Sequence, residues 1–71
     1  MNEYVLINYD NSSIHLYSTL KNKVIKKFWT EGNQIIKIHV LYESKICIVT
    51  RDLIYYWDIF STTKPKIHFL N

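Results

Sequence analysis

The chain is built from short apolar runs separated by polar corners. Tyr4-Val5-Leu6-Ile7 is followed by Asn8-Tyr9-Asp10-Asn11-Ser12-Ser13, whose Asp, Asn and Ser residues are turn formers. Ile14-His15-Leu16-Tyr17 then alternates as a strand, and the two runs predict a hairpin. Ser18 to Asn22 is a second turn. Lys23 to Trp29 admits two readings. As a strand it is an outer one with its lysines in water. As a helix it places Leu20, Val24 and Phe28 on one stripe. Its Val, Ile, Phe and Trp content and its shortness favour the strand.

Thr30 to Gln34 is the clearest break and holds the only glycine, Gly32. From Ile35 to Tyr42, Ile36, Ile38, Val40 and Tyr42 share one face at period two, while Lys37 and His39 take the other. The pattern predicts a half-buried strand. Glu43-Ser44-Lys45 is a hairpin-sized turn. Ile46 to Thr50, an Arg51-Asp52 corner and Leu53 to Ile59 form the most strongly β-prone stretch. Neither arm alternates cleanly between apolar and polar, so both faces of this hairpin are expected to be covered. Ser61 to Pro65 is a loop, and Lys66 to Leu70 a last strand. The sum is an all-β antiparallel meander of about seven strands.

The pattern repeats. Ile14 to Tyr17 lies forty positions before Ile54 to Trp57, and Val5 to Asn11 aligns with Ile46 to Asp52 at an offset of forty-one. Lys23 to Phe28 aligns loosely with Pro65 to Phe69. The unit is about forty residues and four strands, the period of a WD-repeat propeller blade. Thr50, Asp52 and the Trp57-Asp58 pair resemble the WD repeat itself: a Ser or Thr two residues before a corner Asp, then a strand closing on Trp-Asp. That resemblance implies a corner held by Thr50, Asp52 and Trp57, with Asp58 ending the Trp strand. It depends on a buried hydroxyl and indole each finding a partner.

The chain departs from the family where no Gly-His precedes Ile35 and where Tyr9 and Tyr17 stand in the first copy at the Thr and Trp places. Thr50-Arg51-Asp52 before the Trp strand also looks like the ASTRA-associated propeller proteins of fungi. The implied fold is an incomplete WD-type β-propeller of about one and three-quarter blades: a single segment over 1–71, with 1–29 a first blade lacking its innermost strand and 35–70 a second blade. A ring needs roughly four to eight blades, and a repeat unit cannot bury its faces alone. The chain is therefore expected to be a fragment or truncated form of a longer propeller, or to dock on a protein partner, on remaining blades or on itself.

Composition narrows the chemistry. With 71 residues only one small domain is available, and Cys47, the only cysteine, rules out an internal disulfide. In a strand-like apolar run it reads as a small core residue rather than a reactive thiol. No signal or membrane-spanning pattern is found, so an intracellular (cytoplasmic or nuclear) location and no membrane partner are expected. The net charge of +3 is mildly basic. One glycine excludes a glycine-rich phosphate loop. His15, His39 and His68 sit on separate strands with no short metal-ligand spacing. No residue set points to a reaction, and neither enzyme activity nor a cofactor or metal is expected.

Two surface features remain. Tyr56 lies opposite Tyr55 and Trp57 in a regular strand and, with Phe28 and Trp29, is a candidate partner contact, since aromatics dominate interface hot spots. Lys21, Lys23, Lys26 and Lys27 beside Phe28 and Trp29 form a candidate basic surface. It supports the alternative reading, a small basic β-barrel binding single-stranded nucleic acid. The leading expectation is a non-catalytic protein–protein interaction or scaffold module, with nucleic acid disfavoured as a partner.

Overall fold

The computed structural model describes residues 3–42 and 44–70. Those residues form seven antiparallel strands and no helix: β1 (Tyr4–Asp10), β2 (Ser13–Ser18), β3 (Lys23–Trp29), β4 (Ile35–Tyr42), β5 (Lys45–Thr50), β6 (Leu53–Asp58) and β7 (Lys66–Phe69). They make two meander sheets, β1-β2-β3 and β4-β5-β6-β7. Both sheets stay open, so the closed barrel of the alternative reading is not formed among the described residues. Lys23–Trp29 is a strand, as its β-branched and aromatic content favours. Glu43, expected in the β4–β5 turn, lies outside the described residues.

The ladders repeat residue for residue. Val5 pairs with Tyr17 and Ile7 with His15; at the matching offsets Ile46 pairs with Trp57 and Ile48 with Tyr55. Leu16 pairs with Lys26 and Ile14 with Phe28, as Tyr56 does with Lys66 and Ile54 with His68. β1–β3 and β5–β7 are therefore the same three-stranded unit in register. β4 is the additional strand of the second sheet.

The sheets are stacked face to face. Ile14 and Leu16 of β2, Ile46 and Ile48 of β5, Tyr55 and Trp57 of β6, and Ile59 form the buried core. Leu6, Phe28, Ile35, Ile38 and Leu53 pack around it. The Phe28 ring joins the layers, lying edge-on to Tyr55 at 5.3 Å and tilted over Trp57 at 5.0 Å. Such pairs contribute about 0.5–1.5 kcal/mol beyond the area they bury.

Two expectations about strand faces are corrected. The hairpin β5–β6 is fully covered on one side only: Tyr55 and Trp57 are buried, whereas on the opposite face Cys47 is buried but its partner Tyr56 is 45% exposed. In β4 the period-two face is broken by ladder shifts between Ile35 and Lys37 and between Val40 and Tyr42. A bulge re-aims every side chain beyond it. Ile35 and Ile38 consequently reach the core while Ile36 is left outside.

A bulge in β3 places Lys26. The β2–β3 ladder shifts between Leu16 and Tyr17, so that Ile25 is passed over and Lys26 pairs with Leu16 on the inner face. Its ammonium donates to the carbonyls of Ile59 at 2.5 Å and Ser61 at 2.7 Å, and lies 5.9 Å from the Trp57 ring centroid. Lys26 is thus a clamp between the sheets, whereas Lys21, Lys23 and Lys27 are exposed.

The connection between the sheets is equally fixed. Thr30 is fully buried; its single hydroxyl proton is shared between two carbonyl acceptors, those of Ser12 at 3.0 Å and Asn33. The Asn33 amide donates back to the Thr30 carbonyl at 2.9 Å. Glu31 and Gly32 between them both take positive φ, 58° and 89°. The second is a conformation only glycine enters without cost.

Removing the Lys26 ammonium should cost about 1.5–3 kcal/mol, the range for hydrogen bonds to a charged group. Urea denaturation of Lys26→Met is expected to show that loss, while Lys27→Met stays within about 0.5 kcal/mol of the parent, as surface changes do.

Candidate functional site

The WD-like residues fall into two separate corners. Thr50, 2% exposed, uses its hydroxyl on the backbone of Leu53: it donates to the carbonyl at 3.1 Å and accepts from the amide at 3.2 Å. The β5–β6 corner is thereby closed without Trp57, which pairs with Ile46 at the other end of the hairpin. Asp52 is exposed on that corner, and its carbonyl accepts the amide of Leu70 at 3.0 Å. In the first unit, where Tyr9 replaces the threonine, the corner is held by Asp10, whose carboxylate accepts the Ser12 amide at 2.9 Å. That bond, foremost, lowers the Asp10 pKa.

Asp58 organises the opposite end. Its carboxylate accepts the Ser44 hydroxyl at 2.7 Å and the Phe60 amide at 3.2 Å, and Lys45 lies 3.8 Å away. One side chain so ties the β4–β5 turn to the chain leaving β6. The Ser44 and Phe60 hydrogen bonds, then the positive charges of Lys45 and Lys26, hold its carboxyl below the ordinary value, against partial desolvation.

Tyr55, not Trp57, reaches the segment joining the sheets. Its hydroxyl lies 3.4 Å from the Thr30 carbonyl and 3.4 Å from the Asn33 amide nitrogen. Nothing in the strand pattern distinguished Tyr55 from Tyr56 for this role beyond the face each occupies. Asn33 and Thr30 carried no motif.

The candidate contact residues are dispersed. Phe28 is used within the chain, against Tyr55 and Trp57. Trp29, 64% exposed, and Tyr56 lie on the outer faces of different sheets. The outer face of β1-β2-β3 carries Val5, Ile7 and Tyr9, with the Tyr9 ring stacked on His15 at 4.2 Å, together with Tyr17, Val24, Lys27 and Trp29. The outer face of the second sheet carries the Cys47–Tyr56 and Val49–Ile54 pairs, flanked by Lys37, His39, Lys66 and His68. The total accessible surface is 5218 Å². A compact monomer of 8.6 kDa would expose roughly 4,700 Å². Exposed apolar side chains lie on the outer faces, as Val5, Ile7 and Tyr56, and equally at turns and edges, as Leu20, Leu41 and Phe69.

The inner layer is itself unevenly covered. Val40 is 60% exposed although its ladder partner Ile46 is fully buried. The first sheet has no fourth strand to lie over it. At the other margin Ile67 and Phe69 of β7 pair with buried Tyr55 and half-buried Leu53, yet are 54% and 71% exposed.

Reactive chemistry finds little footing. Among the described residues no three His, Cys, Asp or Glu side chains converge as a metal site would require. Cys47 pairs with His39 across β4–β5, but burial raises the thiol pKa and so disfavours the nucleophilic thiolate. No known protein family, curated protein or solved structure matches the chain.

The Asp58 clamp should be acid-sensitive. Because its folded pKa is lowered, its contribution is complete above the unfolded value near 3.8 and is lost as the pH falls through the folded value. Melting temperatures of the parent and of Asp58→Asn are expected to differ most near neutrality and to converge once the pH has fallen below the folded pKa of Asp58.

Proposed function

We propose that the chain is a non-catalytic protein–protein interaction or scaffold module, an incomplete WD-type β-propeller segment. Its blades are 1–29, short of one inner strand, and 35–70. The observation that carries this reading is the in-register repeat of two stacked meanders whose outward faces remain apolar. Repeat architectures stack like units so that each covers its neighbour. Two units alone leave one face bare on each side. Large exposed apolar patches on soluble domains mark interaction sites.

The Lys21, Lys23 and Lys27 side chains with Trp29 keep some basic and aromatic character at the margin of the first sheet. The internal use of Lys26 weighs against single-stranded nucleic acid as the partner.

The reading is tested on the purified chain with an environment-sensitive apolar dye and a labelled single-stranded oligonucleotide. Measured at a dilution where the chain is monomeric, dye binding that falls in Ile7→Lys and Tyr56→Lys, with oligonucleotide affinity no tighter than about 10⁻⁶ M at physiological salt, is the expected result. A monomer that excludes the dye overturns it. Tight, salt-sensitive oligonucleotide binding lost on replacing Lys21, Lys23 and Lys27 overturns it in favour of nucleic-acid recognition.

A further inference from the structure

The interface inside the molecule specifies what fits its bare faces. The second sheet presents Ile46, Ile48, Tyr55 and Trp57 to the first sheet. Their register equivalents in the first unit are Val5, Ile7, His15 and Tyr17, which lie on its outer face. Conversely, the first sheet presents Leu6, Ile14 and Leu16 to the second. Their equivalents are Cys47, Ile54 and Tyr56, on the outer face of the second sheet. Each bare face therefore repeats the register positions of one half of the packed interface, with His15 and Tyr17 in place of Tyr55 and Trp57, His68 in place of Phe28, and no counterpart of β4 in the first sheet.

We infer that the outer face of the β4-β5-β6-β7 sheet of one molecule docks on the outer face of the β1-β2-β3 sheet of a second copy of this chain, head to tail. The inference rests on the interaction-module reading and names its partner. The contact repeats the operation that already relates the two sheets. It is heterologous, so it closes into a ring if the rotation allows and otherwise extends as a stack.

The clamp repeats as well. Lys26 pairs with Leu16 and donates to the Ile59 and Ser61 carbonyls after β6. Lys66 holds the same place opposite Tyr56 and is exposed. The register equivalents of Ile59 and Ser61 are Thr19 and Lys21, in the turn after β2. In the assembled pair, Lys66 of one copy donates to the Thr19 and Lys21 carbonyls of the next.

Sedimentation of the purified chain between about 1 and 100 μM, a range spanning ordinary protein–protein affinities, provides the test. The parent is expected to form species of defined mass above the monomer. Ile7→Lys blocks one face and Tyr56→Lys the other. Both positions are partly exposed, so each variant is expected to fold, with the strand signature in circular dichroism, and to sediment as a monomer. Mixed in equal amounts, each variant still has the face the other lacks, and a 1:1 dimer should form. Lys66→Met leaves the sheet faces intact and should weaken association about tenfold.

A folded parent that stays monomeric, variants that keep the parent's mass, or a mixture that stays monomeric overturns the inference. A parent monomer that still binds the apolar dye removes only the self-stacking partner. One that excludes the dye removes the interaction-module reading as well.

Discussion

Contact between two sheet faces holds this chain together. Ile14, Leu16 and Phe28 on one side meet Ile46, Ile48, Tyr55 and Trp57 on the other, and nearly every well-buried side chain belongs to that layer. Among the described residues, Cys47 apart, the outer faces of the two sheets stay at least partly exposed. A three-stranded meander alone is at the lower limit of independent stability. Each sheet thus depends on the other for its core, and the polar features of the fold serve to keep the two in place.

Those polar features act at three points. Lys26 bridges from β3 to the carbonyls beyond β6. Thr30 and Asn33 fasten the connecting segment to the first corner and bring it to the Tyr55 hydroxyl. Asp58 gathers the turn before β5 and the exit from β6. In each case a side chain satisfies backbone groups where ladder bonding stops, which is where unpaired groups would otherwise face partial burial. None of them forms a constellation suited to bond-making. All are stitching between strands, placed at turns and ends rather than on the sheet faces.

Much of this was legible in the chain itself. The seven strands follow from apolar runs and turn clusters, and the repeat follows from matching Ile14–Tyr17 with Ile54–Trp57. The faces were harder to read, because alternation assumes an unbroken pleat. Single-residue bulges near Ile25, Ile36 and Leu41 shift the pattern, and no local residue choice announces them. Hence Lys26 looked solvated and is a clamp, and Ile36 looked buried and is not. Thr50 and Asp58 could be singled out by motif, but their partners could not. The threonine turns to its own corner rather than to the indole, and the aspartate takes the Ser44 hydroxyl. Tyr55 gained its role from a neighbour in space, Thr30, that lies far from it in sequence.

The meander order has a kinetic consequence. Every ladder joins strands adjacent in the chain, so no long loop must close before either sheet can form, whereas the core between them waits on contacts distant in sequence. A first sheet formed ahead of the second would offer both of its apolar sides at once, and a neighbouring chain would then compete with the molecule's own second half for the inner one.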